Sequence, residues 1–157
     1  MVLARNIVCT ISIKSTRRKA YVALAELLLV IGGWVTDAPQ IYLGHIQTET
    51  PYYQPKPLAP KPFGELAKSF AGDPSFKDCA TEGCKFAWGL RVINSKDVTV
   101  HSAGLYSFFN EYYQDCIEPQ NCQEKILEVK GSTGVVVFNL FTIATVNIAS
   151  GVKLVFP

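Results

Sequence analysis

Short runs of β-branched and other apolar residues, separated by turn residues, recur through the second half of this chain. The runs span residues 90–93, 98–101, 126–129, 135–140, 144–148 and 152–156. The segments between them include Asn-Ser-Lys-Asp, Gly-Ser-Thr-Gly and Ser-Gly, which favour turns. Several runs follow one another at roughly nine-residue intervals, which is typical of all-β folds with many short strands. The spacing alone does not separate a sandwich from a solenoid, but asparagines at turn positions, Asn94 and Asn139, favour a parallel β-helix.

The composition fits a globular domain and excludes several functional classes. Of the 157 residues, 48% are hydrophobic, and the formal charge is +2, so a concentrated basic surface for nucleic acid is not expected. The sequence contains no glycine-rich phosphate loop, no Ser-His-Asp arrangement and no metal-ligand cluster, since His45 and His101 are far apart in sequence. We therefore expect no cofactor, no metal and no nucleic-acid partner.

Four of the five cysteines form two close pairs, each flanking a polar loop. The C-x4-C and C-x5-C spacings match no common zinc motif. Short-range disulfides formed in an oxidising compartment explain the pattern better. We predict the bridges Cys79–Cys84 and Cys116–Cys122, which leave Cys9 without a partner.

Residues 1–36 differ in amino-acid pattern from the rest of the chain. Arg17, Arg18 and Lys19 precede an apolar run over residues 20–35 that is interrupted by Glu26. The run is short for a membrane span, which needs about 20 residues, and a central glutamate is costly in a bilayer. A buried helix over residues 20–30, an uncleaved anchor and a signal peptide are the three alternatives. A membrane partner is not favoured.

A carboxylic acid in an aromatic and polar setting is the strongest chemical signal. Residues 40–43 predict a short strand, and the proline-rich segment 51–62 predicts a fixed loop outside any sheet. Glu49 lies between them. Packing against Tyr52 or Tyr53 would desolvate Glu49 and raise its pKa, as a general acid near neutral pH requires. The amides of Gln47 and Gln54 can donate to and accept from sugar hydroxyls. An exposed glutamate in a polar turn is the plainer interpretation of the same residues.

Five segments of the chain, in order, resemble a known family of enzymes. They are GHIQTETPYYQP (44–55), WGLRVI (88–93) with SAGLYSFFN (102–110), NCQ (121–123) and NLFT (139–142). Together they are similar to the C-terminal part of fungal exo-β-1,3-glucanases of glycoside hydrolase family 55. The resemblance runs from about residue 40 to the end of the chain.

The resemblance implies a fold, a reaction and roles for particular residues. The implied fold is a right-handed, pectate-lyase-like parallel β-helix, here partial, spanning residues 37–157. The implied reaction is inverting hydrolysis of β-1,3-glucan by a secreted enzyme. Glu49 matches the general acid, and Gln47, Tyr52, Tyr53 and Gln54 are the expected substrate contacts.

The chain also departs from the family pattern. A family member is several times longer, and the residues that position the attacking water lie in a part with no counterpart here. Glu26 falls where a supporting Glu-His motif is expected, but no histidine follows it, so we interpret Glu26 as a coincidental match. Residues 1–36 are then an atypical segment: a helix, an anchor or a product of gene misannotation. We expect a fragment that is inactive alone, with a non-catalytic β-glucan-binding remnant as the alternative.

Overall fold

The computed structural model describes residues 12–13, 20–27, 33–59, 61, 81 and 85–151. Regular structure in these residues is made of strands, and none of them lies in an α-helix. The strands are β1 (Ser12–Ile13), β2 (Ala20–Leu27), β3 (Gly33–Thr36), β4 (Pro39–Glu49), β5 (Leu90–Ile93), β6 (Lys96–Tyr106), β7 (Gln123–Lys130), β8 (Thr133–Ile143) and β9 (Thr145–Ser150). The all-β expectation is confirmed.

The nine strands form two sheets, and every strand pairing within them is parallel. The odd-numbered strands form one sheet in the order β1-β3-β5-β7-β9, and the even-numbered strands form the other in the order β2-β4-β6-β8. The chain thus alternates between the sheets. From residue 33 to residue 143, we call each odd strand together with the even strand that follows it a strand unit: β3–β4, β5–β6 and β7–β8.

The helix predicted near the N-terminus is wrong for the residues that the structure describes. Ala20–Leu27 is strand β2, which pairs with β4 from Ala20 opposite Ile41 to Leu27 opposite Thr48. A continuous apolar run fits a buried strand as well as a buried helix, and pairing with a neighbouring strand decides between them. Gly33, the expected helix stop, begins β3. No helix in the described ranges is long and apolar enough to cross a membrane.

The hydrophobic core consists of matching residues from successive strands of both sheets. Within the even sheet, Ile41 pairs with Val98, and Leu43 pairs with Val100. All four side chains are buried. The odd sheet contributes Val35, Leu90, Val92, Leu127 and Val129 to the same cluster. Because parallel strands place like residues side by side, each strand adds one more row to a continuous core.

Left-handed backbone positions recur at the same places in all three strand units. They are Asp37, Gln40 and His45 in the first unit, Asn94, Asp97 and Ser102 in the second, and Gly131, Gly134 and Asn139 in the third. Asn94 lies in the bend between β5 and β6, as expected, whereas Asn139 lies within β8, where it has positive φ but is not in a turn. A Cβ added to Gly131 would collide with the Asn94 side chain. Glycine is favoured there by its φ of 61°, in a left-handed region that Asp37 and Asn94 also adopt at the corresponding positions, and by this close approach.

A row of hydrogen bonds connects the bends between the two strands of each unit. The Ala38 N–H donates to the Ser95 hydroxyl (3.2 Å), and the Ser95 N–H donates to the Ser132 hydroxyl (3.0 Å). Ser95 is buried, and its hydroxyl donates to the Ile93 carbonyl. Serine therefore satisfies backbone donors that the bend would otherwise leave unpaired.

A disulfide closes the loop before β7. Cys116 and Cys122 are bonded, with 1.98 Å between their sulfurs, and both are buried against Ala144. The Asn121 N–H donates to the Cys116 carbonyl inside this loop. The other predicted bridge, Cys79–Cys84, and the predicted strand at 152–156 lie outside the described residues.

Candidate active site

Glu49 is the last residue of β4 and is half-buried. The residue before it, Thr48, faces the core, where its hydroxyl donates to the Gly89 carbonyl at 3.0 Å. Since side chains alternate along a strand, Glu49 faces the outer side of the even sheet. In register, Glu49 pairs with Tyr106 of β6, which in turn pairs with Ile143 of β8. The buried threonine fixes the end of the strand and therefore the direction of the carboxylate.

The loop after Glu49 begins from a rigid base. The Thr50 hydroxyl donates to the Ser107 hydroxyl at 2.7 Å, and both residues are buried. The Thr50 N–H donates to the Tyr106 carbonyl, which extends the strand pairing by one step. The side chain of Pro51 is fully buried. As predicted, residues 50–59 contain no strand.

Tyr52 contacts Glu49 directly. Its hydroxyl donates to Glu49 Oε2 at 2.6 Å, and its ring packs against Phe109 with 4.1 Å between centroids. This hydrogen bond, together with desolvation and the charge of Glu49, raises the pKa of Tyr52 to about 12. The tyrosine thus fixes the orientation of the carboxylate through its hydroxyl, while Phe109 fixes the tyrosine ring.

The hydroxyl of Tyr53 is used within the loop. It donates to the Ala59 carbonyl at 2.6 Å. Burial and, to a lesser extent, the nearby Tyr112 raise the pKa of Tyr53 well above its usual range. The residue is half-buried.

Gln54 does not lie where the sequence predicted it. Its side chain is 2% exposed. Its amide nitrogen donates to Gln123 Oε1 at 2.6 Å, and its amide oxygen accepts from the Ala87 N–H at 2.9 Å. Gln123 in turn donates to the carbonyls of Ala87 and Lys125. The predicted sugar contact is therefore corrected: Gln54 joins the loop to β7 through a buried amide network.

Gln47 lies two residues before Glu49 on the same outer face of β4 and is half-buried. In register it pairs with Gly104 of β6 and with Glu26 of β2. The structure thus brings Gln47, Glu49 and Tyr52 to one end of the even sheet. The pairing also places Glu26 one strand from the site, although the sequence pattern around it indicated a coincidence.

Two residues near Glu49 were missed as candidates. Phe109 supports the Tyr52 ring. Tyr112 lies in a turn whose backbone is bonded to that of Tyr52, with 2.8 Å from the Tyr112 nitrogen to the Tyr52 oxygen. The sequence signal for both is the aromatic run Phe-Phe-Asn-Glu-Tyr-Tyr at 108–113, whose distance of about 60 residues from Glu49 hides the contact.

The two histidines, distant in sequence, are neighbours in space. Their rings lie 6.4 Å apart on the outer face of the even sheet, at His45 and His101. The described ranges contain no group of three or more side chains that could hold a metal ion.

A separate polar cavity of about 290 Å³ lies on the odd sheet. Its walls include Trp88, Lys125 and Glu128. Arg91 forms an ion pair with Glu128, and its guanidinium lies 5.7 Å from the centroid of the Trp88 ring. The buried Trp88 indole N–H has no hydrogen-bond partner within the described ranges. None of the residues predicted to contact substrate lines this cavity.

An outward carboxylate bordered by aromatic rings on an all-parallel β scaffold fits a protein that acts on carbohydrate. Comparison with known proteins adds the substrate class. The chain is 44% identical over 124 residues to a probable glucan endo-1,3-beta-glucosidase of Arthroderma benhamiae, covering 78% of the chain and 14% of that protein. It is 42% identical over 107 residues to a glucan 1,3-beta-glucosidase of Cochliobolus carbonum, covering 64% of the chain and 13% of that protein.

A third relative carries a different name. The chain is 35% identical over 121 residues to a non-secreted LysM effector of Penicillium expansum, covering 76% of the chain and 7% of that protein. No family model matches the chain. The chain is thus homologous to fungal glucan 1,3-beta-glucosidases and spans about one seventh of the length of the two that it matches. The resemblance stated from its sequence is confirmed at this level.

Proposed function

We propose that this chain forms one wall of the glucan-binding cleft of an inverting exo-β-1,3-glucanase of glycoside hydrolase family 55. In this proposal Glu49 is the general acid that protonates the leaving glycosidic oxygen. The observation that carries the proposal is the outward, half-buried position of Glu49 beside the Tyr52 and Phe109 rings, within the segment shared with the glucanase relatives. Gln47 and the exposed part of the Tyr53 ring are the proposed sugar contacts.

We also propose that the two sheets are two faces of a right-handed parallel β-helix. The alternation of the chain between the sheets and the all-parallel pairing support it. Parallel connections are right-handed in about 98% of cases. The aligned left-handed positions at Gln40, Asp97 and Gly134 mark a shared corner of successive turns.

On strands β6 and β8, the described residues supply no second carboxylate in register with the candidate acid, whereas β2 places Glu26 opposite Gln47. Inversion requires a second group on the opposite face of the sugar, about 6.5–9.5 Å from the acid, to activate water. The neighbours of Glu49 on β6 and β8 are Tyr106 and Ile143, and those of Gln47 are Gly104 and Phe141. None is a carboxylate, and we assign no catalytic role to Glu26 of β2, because no histidine follows it as the family pattern requires. We therefore expect this chain alone to bind β-1,3-glucan without hydrolysing it, as a glucan-binding remnant would.

Secretion belongs to the same proposal. The Cys116–Cys122 disulfide supports an oxidising compartment. The relative named as non-secreted points the other way, so export must be measured in the producing cell.

Incubation of the purified 157-residue chain with laminarin, a soluble β-1,3-glucan, tests the proposal. The readouts are released glucose and retardation of the protein in a laminarin-containing gel. We expect retardation without glucose release. The matched variants are Glu49→Gln and Glu118→Gln, since Glu118 is an exposed glutamate in the disulfide loop.

Each outcome has a defined meaning. Glucose release lost in Glu49→Gln and kept in Glu118→Gln would support the acid role and refute inactivity of the chain alone. Glucose release that Glu49→Gln leaves unchanged would refute the role of Glu49. Neither release nor retardation would refute the glucan-binding proposal.

A further inference from the structure

A strained turn lies next to the candidate acid. Asn110 and Tyr113 exchange both backbone hydrogen bonds at 2.9 Å, closing a two-residue hairpin turn. The two central residues have positive φ, 52° at Glu111 and 68° at Tyr112. Such turns strongly prefer Asn-Gly, and a bulky residue with positive φ is a true outlier. The sequence therefore places tyrosine where glycine would be more stable.

Bonds to the loop that carries Tyr52 hold this turn in place. The Tyr112 N–H donates to the Tyr52 carbonyl at 2.8 Å, and the Glu111 N–H donates to the Gln54 carbonyl at 2.9 Å. Lys56 forms an ion pair with Glu111 at 3.3 Å. Tertiary contacts thus enforce a backbone conformation that the local sequence disfavours, which is typical of functional positions.

The strain exposes two aromatic rings instead of burying them. Tyr112 is 68% exposed, and Tyr113 is 70% exposed. Tyr112 lies close enough to the Tyr53 hydroxyl to raise its pKa. A core role is excluded by this exposure, and a merely solvated turn does not account for the choice of tyrosine at a left-handed position. A tyrosine offers large contact area with few rotatable bonds, so a ring held in place binds a ligand at low entropic cost.

We propose that Tyr112 is a stacking platform for a glucosyl unit of β-1,3-glucan, next to the unit that Glu49 contacts. The inference rests on the proposed function. Glu49 and Tyr112 are joined through a single residue: the Tyr52 hydroxyl lies 2.6 Å from the carboxylate, and the Tyr52 carbonyl accepts from the Tyr112 N–H. The backbone of Tyr112 thus lies at the opposite end of Tyr52 from the carboxylate, and a glucan chain that extends from Glu49 along Tyr52 would reach it.

Two variants separate stacking from folding. The double substitution Glu111→Asn with Tyr112→Gly installs the preferred turn and removes the ring. We expect its affinity for laminarin, measured by calorimetry, to fall about fivefold while its Tm rises by about 3 °C. Tyr112→Phe keeps the ring and should bind within about twofold of the wild type. We thus expect the double variant to bind laminarin more weakly and to unfold at a higher temperature than the wild type.

Three results would overturn the inference. The first is wild-type affinity in the double variant. The second is a lower affinity accompanied by a lower Tm, which would mean that the turn only supports the fold. The third is a loss of binding in Tyr112→Phe as large as in the double variant, because the ring itself would then not be the contact.

Wild type and Glu49→Gln are measured alongside the turn variants. If both bind laminarin and the double variant binds equally well, the platform is refuted while the proposed function stands. If the wild type does not bind laminarin, the proposed function fails, and the platform fails with it.

Discussion

Replacement of Gln54 by alanine tests whether this residue is structural or contacts sugar. The side chain is 2% exposed and bonds to Gln123 and to the Ala87 N–H. Its removal leaves the Gln123 amide oxygen and the Ala87 N–H without these partners in the core. A buried polar group left unpaired costs about 1–3 kcal/mol. We therefore expect the free energy of unfolding to fall by about 3–4 kcal/mol, which lowers Tm by about 10 °C.

Urea unfolding followed by circular dichroism measures the effect. Gln47→Ala is the matched control, an amide on the outer face of β4, and should change stability by less than about 0.5 kcal/mol. A double-mutant cycle of Gln54→Ala with Gln123→Ala should give a coupling of about 1–2 kcal/mol. A loss below about 1 kcal/mol in Gln54→Ala would refute the network. So would weaker laminarin binding by the folded Gln54→Ala than by Gln47→Ala, because the amide would then contact sugar.

Three further changes test the fold and the site. Gly131→Ala should lower the free energy of unfolding by about 2 kcal/mol, because φ is 61° and the new methyl meets the Asn94 side chain. Adding Asn94→Ala to this variant should recover part of the lost stability. No recovery would exclude the collision. The raised pKa of Tyr52, about 12 against 10.0, means that its hydrogen bond stabilises the fold fully below about pH 10 and progressively less from pH 10 to 12. Because Tyr52 is partly exposed, the expected difference from Tyr52→Phe in urea unfolding is about 1 kcal/mol at neutral pH; a difference that grows above pH 10 would contradict this. Replacing Cys116 and Cys122 by serine should lower the free energy of unfolding by about 2 kcal/mol, as expected for a disulfide loop of this size. A reductant should lower the stability of the wild type by the same amount. An unchanged Tm in both experiments would contradict this prediction.

The strands after residue 90 were predictable because their signals are local. β5 has the predicted bounds, 90–93, and the predicted runs at 98–101, 126–129 and 135–140 lie inside β6, β7 and β8. The prediction of residues 40–43 covered only part of β4, because His45 has a left-handed backbone and interrupts the alternation expected of a strand. The helix alternative was wrong for residues 20–27, because the strand that pairs with β2 follows later in the chain and cannot be inferred from the local sequence.

The candidate site was predictable only where its contacts join residues that are close in sequence. Tyr52 lies three residues from Glu49, so a contact between them could be expected from sequence alone. The sequence around Gln54 does not show that its side chain is buried, because its hydrogen-bond partner Gln123 is 69 residues away. The role of Tyr112 depends equally on distant carbonyl groups, those of Tyr52 and Gln54.

The aligned left-handed positions of the three strand units bear on how such a chain changes over evolution. Corresponding positions are 57 residues apart between the first two units (37 to 94) and 37 apart between the next two (94 to 131), yet their spacing inside each unit is the same. No fixed period exists for a repeat search to detect. Insertions and deletions that fall between units leave the pairing register unchanged, so the loops that hold Glu49's neighbours are free to lengthen, shorten and acquire new contacts. A single residue added within a paired strand would instead move the following side chains of that strand to the opposite face of its sheet.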